Sequence, residues 1–183
     1  SKLITIIVAT LLLLTAGVEA KSDNSHAGTI AVARYGSIQE AVDAADGGET
    51  ILVQPGIYKE NVEIDKSVNV RGVPADKAIV DGSANQASVF TIDEGAEVTL
   101  SHLTITGGSG NPTGLGYGEG GGIFNSGDLT IIDCVITDNQ AGNSGGILNR
   151  GEMEIIGSEI TDNTAGVNYA GDVICQWRSK SVQ

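Results

Sequence analysis

GGIFNSGDLTIIDCVITDNQAGNS, residues 121–144, runs without a gap into GGILNRGEMEIIGSEITDNTAGVN, residues 145–168. One pattern is written twice with a period of 24 residues. Gly121/Gly145, Ile123/Ile147, Asn125/Asn149, Ile131/Ile155, Ile136/Ile160, Asp138/Asp162 and Asn139/Asn163 are identical pairs. A fixed period of about 20–50 residues marks a chain that stacks one small unit on the next. The repeat therefore decides the fold.

The pattern extends backwards. In EVTLSHLTITGG (97–108), DLTIIDCVITDN (128–139) and EMEIIGSEITDN (152–163), apolar residues alternate and then slip by one position. Val98 and Leu100 give way to Leu103 and Ile105, Leu129 and Ile131 to Cys134 and Ile136, and Met153 and Ile155 to Ser158 and Ile160. In a straight strand such a slip would turn the later side chains to the opposite face. A bend at Ser101-His102, Ile132-Asp133 and Ile156-Gly157 keeps both halves facing one core. These are corners of a coil, and His102 is read as a partly exposed corner residue. The step from 97 to 128 is 31 residues rather than 24, and the surplus lies in GGSGNPTGLGYGEG, 107–120. An insertion confined to one unit is expected to project from one face as a loop, where repeat proteins often bind. Its candidate binding residues are Asn111, Tyr117 and Glu119.

Upstream, Ser37-Ile-Gln-Glu40 reads as a capping box, with apolar Ile38, Ala41, Val42 and Ala45 following at helical spacing. The expectation is a short helix over 37–45 that covers the apolar end of the stack. Short strands follow at 50–54, 61–64, 67–70, 78–80, 88–92 and 97–100, with Pro55-Gly56 as a turn. Thr29–Val32 offers a short first strand.

The start of the chain has a different composition. Lys2 precedes the apolar run LITIIVATLLLLTAG (3–17), and Val18-Glu19-Ala20 resembles a signal-peptidase site. Residues 1–20 read as a secretory signal peptide. The competing reading, a short membrane anchor, needs a run of about 18–20 apolar residues, and this one is shorter. No second long apolar run follows. Residues 21–28 read as a flexible polar leader holding His26, 29–175 as the domain, and 176–183 as an irregular tail. Two readings of the tail stay open: a crude cap, or a chain cut short relative to a longer stack.

The net charge of −13, from 10 basic and 23 acidic residues, opposes binding to phosphate backbones, so nucleic acid is not expected as a partner. Cys134 takes the place of Ser158 one unit later, while Cys175 falls back near Asn149–Gly151. The two cysteines occupy different corners, so no disulfide is expected between them. Cys134 reads as a small buried apolar residue.

SIQEAVDAADGGETILVQPGIYKENVEIDKSVNVRG (37–72) resembles the first coil of pectin-lyase-like right-handed parallel β-helix proteins. GGGIFNSGDLTIIDCVITDN resembles the repeat of secreted and cell-surface members of that superfamily. The resemblance spans about residues 29–175 and implies an all-β, right-handed parallel β-helix. At about 24 residues per turn, five to six coils fit from Glu49 onward. It implies stacked strands about 4.8 Å apart, with Ile ladders inside and Asn125/Asn149 and Asn139/Asn163 as hydrogen-bonded ladders at turns.

The superfamily holds lyases, hydrolases, esterases, adhesins and scaffolds, so fold does not name function. Pectate lyases use an acidic calcium cluster and an Arg or Lys base, and Arg150, within the repeat, is the candidate for that base. The stacked pair Asp138/Asp162 is the candidate for catalytic carboxylates, since retaining glycosidases hold theirs about 5–5.5 Å apart. The same pair could hold a hard cation such as Ca²⁺. Against these stands the reading of both as solvated turn residues. The Gln-Asp-Thr and Asp-Phe-Ile-Phe-Gly motifs of pectinesterases and the paired-Asp motifs of polygalacturonases do not occur. Aromatics are 4% of the chain, too few for a long sugar-stacking groove, and Tyr58 reads as packing near the first coil. The expectation is an exported, non-catalytic surface protein for adhesion or glycan contact, a monomer or part of a longer chain. A polysaccharide lyase or hydrolase, and an inactive fragment, are the alternatives.

Overall fold

The structure is a computed structural model that describes residues 28–74, 78–113, 118–166 and 171–175. Residues 1–20, expected to be a signal peptide, the expected leader up to residue 27, Tyr117 and the tail 176–183 lie outside these. The fold is all-β, with several parallel sheets and one short helix.

Among the described residues, three larger sheets are filled in rotation as the chain advances. Sheet I holds Thr29–Ala31, Thr50–Val53, Val68–Gly72, Glu97–Ser101, Asp128–Ile132 and Glu152–Ile156. Sheet II holds Gly56–Tyr58, Ala78–Asp81, Leu103–Thr106, Val135–Thr137 and Glu159–Thr161. Sheet III holds Val62–Ile64, Phe90–Ile92, Ile123–Asn125, Ile147–Asn149 and Val173–Cys175. Their pairings are parallel, and spatial neighbours come from successive rounds of the rotation. The 24-residue step appears directly in the register: Ile123 opposes Ile147, Ile131 opposes Ile155 and Ile136 opposes Ile160. The 31-residue step appears as Asp128 opposite Glu97.

The sequence reading lacks one strand. Beyond the bend at Pro55, Gly56–Tyr58 pairs with Ala78–Val80 and opens sheet II. The outward Ile57 of that strand stays exposed, so the stretch lacks the apolar alternation that announces a strand. Tyr58 packs on the core, and its hydroxyl donates to the Gln54 carbonyl at 3.0 Å. Burial, then the Glu60 carboxylate, pushes its pKa up.

The corners fall where the slip in alternation puts them. His102, Asp133 and Gly157 each follow a sheet I strand and have φ of 54°, 49° and 59°. This left-handed bend reverses the parity, so Leu100 and Leu103, and Ile131 and Cys134, all enter one core. Histidine and aspartate tolerate that conformation better than most side chains. Glycine is required where coils touch: a Cβ on Gly121 would collide with the Gly145 carbonyl oxygen.

Tight turns leave backbone carbonyls pointing inward, and asparagine amides satisfy them. Asn125 Nδ2 donates to Asn149 Oδ1 at 2.6 Å and to the carbonyls of Gly127 and Glu152. Asn139 Nδ2 donates to Asn163 Oδ1 and to the Ile105 and Thr137 carbonyls, each at 3.0 Å. Both side chains are buried, where an unpaired amide would cost about 1–3 kcal/mol.

The helix α1, Ile38–Ala44, buries Ile38, Ala41 and Val42 against the first strands. Ser37 Oγ accepts from Glu40 N at 3.1 Å, as the capping box predicts. The other free amides at this end are held from a distance: Ile38 N and Gln39 N donate to the two oxygens of Glu60, at 2.9 and 3.0 Å. The Gln39 amide also exchanges two hydrogen bonds with the Glu63 backbone, filling the outer side of sheet III's first strand. The helix thus closes both an apolar surface and a strand edge.

Candidate functional site

The outer face of sheet III is where the irregular parts of the chain meet. Register places Glu63, Thr91, Phe124 and Leu148 in one outward column, while their neighbours Val62, Ile64, Phe90, Ile92, Ile123 and Ile147 fill the core. The inserted segment folds as an antiparallel hairpin, Asn111–Pro112 against Gly118–Glu119, over this column. Asn111 holds it down. Its Oδ1 accepts from Ser88 N at 3.0 Å, and its Nδ2 donates to Thr91 Oγ1 at 2.8 Å. Ser88 Oγ adds a bond to the Glu119 carbonyl at 3.2 Å.

Beyond the hairpin, Glu119 and Arg150 meet. Arg150 Nη2 donates to Glu119 Oε2 at 2.6 Å, and the guanidinium lies over the Phe124 ring, 4.9 Å from its centroid. Asn143 Nδ2 reaches the other carboxylate oxygen of Glu119 at 3.4 Å. The Glu119 side chain is 12% exposed and that of Arg150 37%. A planar cation stacked on a ring and paired with a shielded carboxylate is worth more than an open surface pair, which contributes about 0–1 kcal/mol.

On the helix side of the hairpin lies an open cleft of about 520 Å³, lined by Gln39, Asp43, Asn61, Glu63, Asn85, Ala87, Ser88 and Thr91 among others. Much of its lining is already engaged. Asn61 Nδ2 donates to the carbonyls of Gly82, Ala87 and Ser88, and its Oδ1 accepts from Asn85. The exposed residues Asp43 and Glu63 also line it, and Asp43 Oδ1 accepts from Gln39 Nε2 at 2.8 Å. Such a surface can offer hydrogen bonds to hydroxyl groups, while the Phe124 ring, beyond the cleft, carries Arg150 on one face.

The remaining candidates sit elsewhere. Asp138 and Asp162 follow successive strands of sheet II, whereas Arg150 follows one of sheet III, so the three do not share a corner. Both aspartates are exposed, with φ of 56° and 57°, and each carboxylate accepts from the threonine before it, at 3.2 and 3.3 Å. That geometry explains aspartate at these positions through the turn alone. A second acidic column, Glu97, Asp128 and Glu152, lines the start of sheet I, and all three residues are exposed. Among the described residues, no group of three or more His, Cys, Asp or Glu is placed to hold a metal ion. Cys134 is buried and free, and burial pushes its thiol up to about 11. The strand position of Cys175 is opposite Asn149, as expected from the repeat.

Sequence reading had two of the three partners in the Glu119–Arg150–Phe124 cluster, assigned to separate roles. The signal that links them is spacing. Phe124 stands where Leu148 recurs, and Arg150 lies one period plus two residues beyond it, on the next rung. Asn143 carried no comparable signal. Among the described residues, no helix is long and apolar enough to cross a membrane. No family model, curated protein or solved structure matches the chain.

Proposed function

We propose that the three sheets close into a right-handed parallel β-helix of five to six coils, exported by residues 1–20. In this reading the outer face of sheet III is a non-catalytic contact surface for a polysaccharide or cell-surface glycan. One observation carries it: the hairpin inserted between two coils is pinned onto that face. There it borders a polar cleft and the Arg150–Phe124 stack. Parallel connections of this kind are right-handed in about 98% of cases, which supports the handedness. Amide, hydroxyl and carboxylate groups around one ring face are suited to hydroxyl-rich ligands. A hard cation such as Ca²⁺ at Asp138/Asp162 would sit at the end of sheet II, apart from this face.

The test is a polysaccharide panel, with and without Ca²⁺, on the whole protein. Binding that weakens at least about tenfold in Phe124→Ala, a loss of about 1.4 kcal/mol, supports the contact surface. New reducing ends or unsaturated products would replace this reading with that of a polysaccharide lyase or hydrolase. Binding unaffected by Phe124→Ala would move the surface elsewhere.

A further inference from the structure

The cleft beside helix α1 has spent most of its donors on the protein itself. Gln39 Nε2 donates to Asp43 Oδ1 at 2.8 Å and to the Glu63 carbonyl at 3.1 Å, and Gln39 Oε1 accepts from Glu63 N at 2.8 Å. Both N–H groups of that amide are therefore engaged. Asn61 Nδ2 is shared among the carbonyls of Gly82, Ala87 and Ser88, at 3.2, 3.3 and 2.9 Å. Ser88 gives its hydroxyl hydrogen to the Glu119 carbonyl and its N–H to Asn111. What the lining keeps for a ligand is chiefly acceptors. Among the described residues, the Glu63 carboxylate takes no hydrogen bond or ion pair, and neither does Asp43 Oδ2. Thr91 keeps its O–H and Asn85 a second N–H, since Thr91 Oγ1 only accepts and Asn85 Nδ2 donates once, to Asn61.

The charge of the lining points the same way. It holds the carboxylates of Asp43 and Glu63 and neither Lys nor Arg. Lys66 Nζ turns to the carbonyls of Asp43 and Ala45, at 3.2 and 3.4 Å, and is not part of the lining. Glu60 is occupied by the first amides of the helix. Because Gln39 Nε2 touches both Asp43 Oδ1 and the Glu63 carbonyl, the two acidic residues stand side by side. An acidic pair alone selects nothing on a chain of net charge −13; the shortage of donors beside it does. An acidic sugar would lay its anion against these carboxylates with no cation in the lining to receive it. A bare divalent ion lacks ligands, since among the described residues no group of three or more His, Cys, Asp or Glu is placed to hold one. A sugar carrying a protonated amine meets both demands. Its ammonium donates to the carboxylates, and its hydroxyls donate to Asn85 Oδ1 and accept from Thr91. The cleft, about 520 Å³, lies within the roughly 300–1,000 Å³ of small-ligand sites.

We propose that this cleft is where the contact surface takes its ligand, and that the ligand is an amino sugar with a free amine, an assignment that rests on the contact-surface reading and narrows it. The experiment is calorimetric titration of the whole protein with a glucosamine tetramer, its N-acetylated counterpart, a galacturonate tetramer and tetralysine, all at one ionic strength. The glucosamine tetramer is expected to bind at least about tenfold tighter than the others. Glu63→Gln is expected to weaken the glucosamine tetramer about tenfold and to leave the N-acetylated one unchanged. Glu63 is exposed and glutamine has its shape, so the fold survives the exchange. If the N-acetylated or galacturonate tetramer binds as tightly as the amine, the amine assignment falls and the contact surface stands. Equal binding of tetralysine, or indifference to Glu63→Gln, would also overturn the assignment, leaving a patch that attracts any cation or a ligand seated elsewhere. Failure of every sugar to bind the wild-type protein would remove both readings together.

Discussion

The two copies of the repeat carry closely similar side chains in different surroundings. In sheet I the strand of the first copy, Asp128–Ile132, lies between two neighbours, whereas among the described residues that of the second, Glu152–Ile156, has one. Leu129 and Ile131 are buried; their counterparts Met153 and Ile155 are not. Burial in a stack belongs to the interface between units rather than to the unit itself. Identical residues therefore differ in energetic weight according to the next layer.

The sharpest way to break the comparison is the same substitution in both copies. Ile131→Ala is expected to cost about 3–4 kcal/mol and Ile155→Ala less than about 1 kcal/mol, because one leaves an enclosed cavity and the other an open edge. Urea denaturation curves measure both. Equal losses would show that the second copy is as fully enclosed as the first.

The next contrast is Cys134 against Ser158, at equivalent positions. Below pH 9 the thiol is protonated in both folded and unfolded chains. Above it the unfolded chain sheds the proton while the folded chain keeps it up to about pH 11. Stability attributable to Cys134 is therefore lost across that interval, by about 3 kcal/mol at most. The pH dependence of unfolding in wild type, less that in Cys134→Ser, isolates the thiol. A flat difference between pH 9 and 11 would mean the thiol ionises freely in the fold.

The smallest effect concerns Arg150 against Ser126. The first copy has no cation at this position; the second has one stacked on Phe124 of the first. A double-mutant cycle of Glu119→Gln and Arg150→Met should give a coupling of about 1 kcal/mol, shrinking with salt. Coupling indistinguishable from zero would make the pair a surface accident.

The repeat was legible because stacking demands the same residue at the same rung. Its inward isoleucines, corner bends and Asn ladders could each be read from spacing. The helix was legible from its cap and apolar face, but Glu60 as a capping group was not, because a bond across 22 residues leaves no local mark. The strand Gly56–Tyr58 escaped for a related reason: its partner, rather than its own alternation, makes it a strand. In the site, Asn111 and Glu119 stood out because they lie in the insertion, and Arg150 as a cation within the repeat. Their division into anchor and ion pair depended on where the hairpin lands.

Periodicity alone determined the in-register stacking, the identity of the core ladders and the location of the insertion. Side chains one period apart must occupy equivalent places if the units are equivalent. Only the tertiary structure decided that the insertion folds onto sheet III, that Arg150 joins Glu119 and Phe124, and that Ile155 is exposed while Ile131 is buried. These depend on what lies beside each unit, and a local pattern contains no record of its neighbours in space.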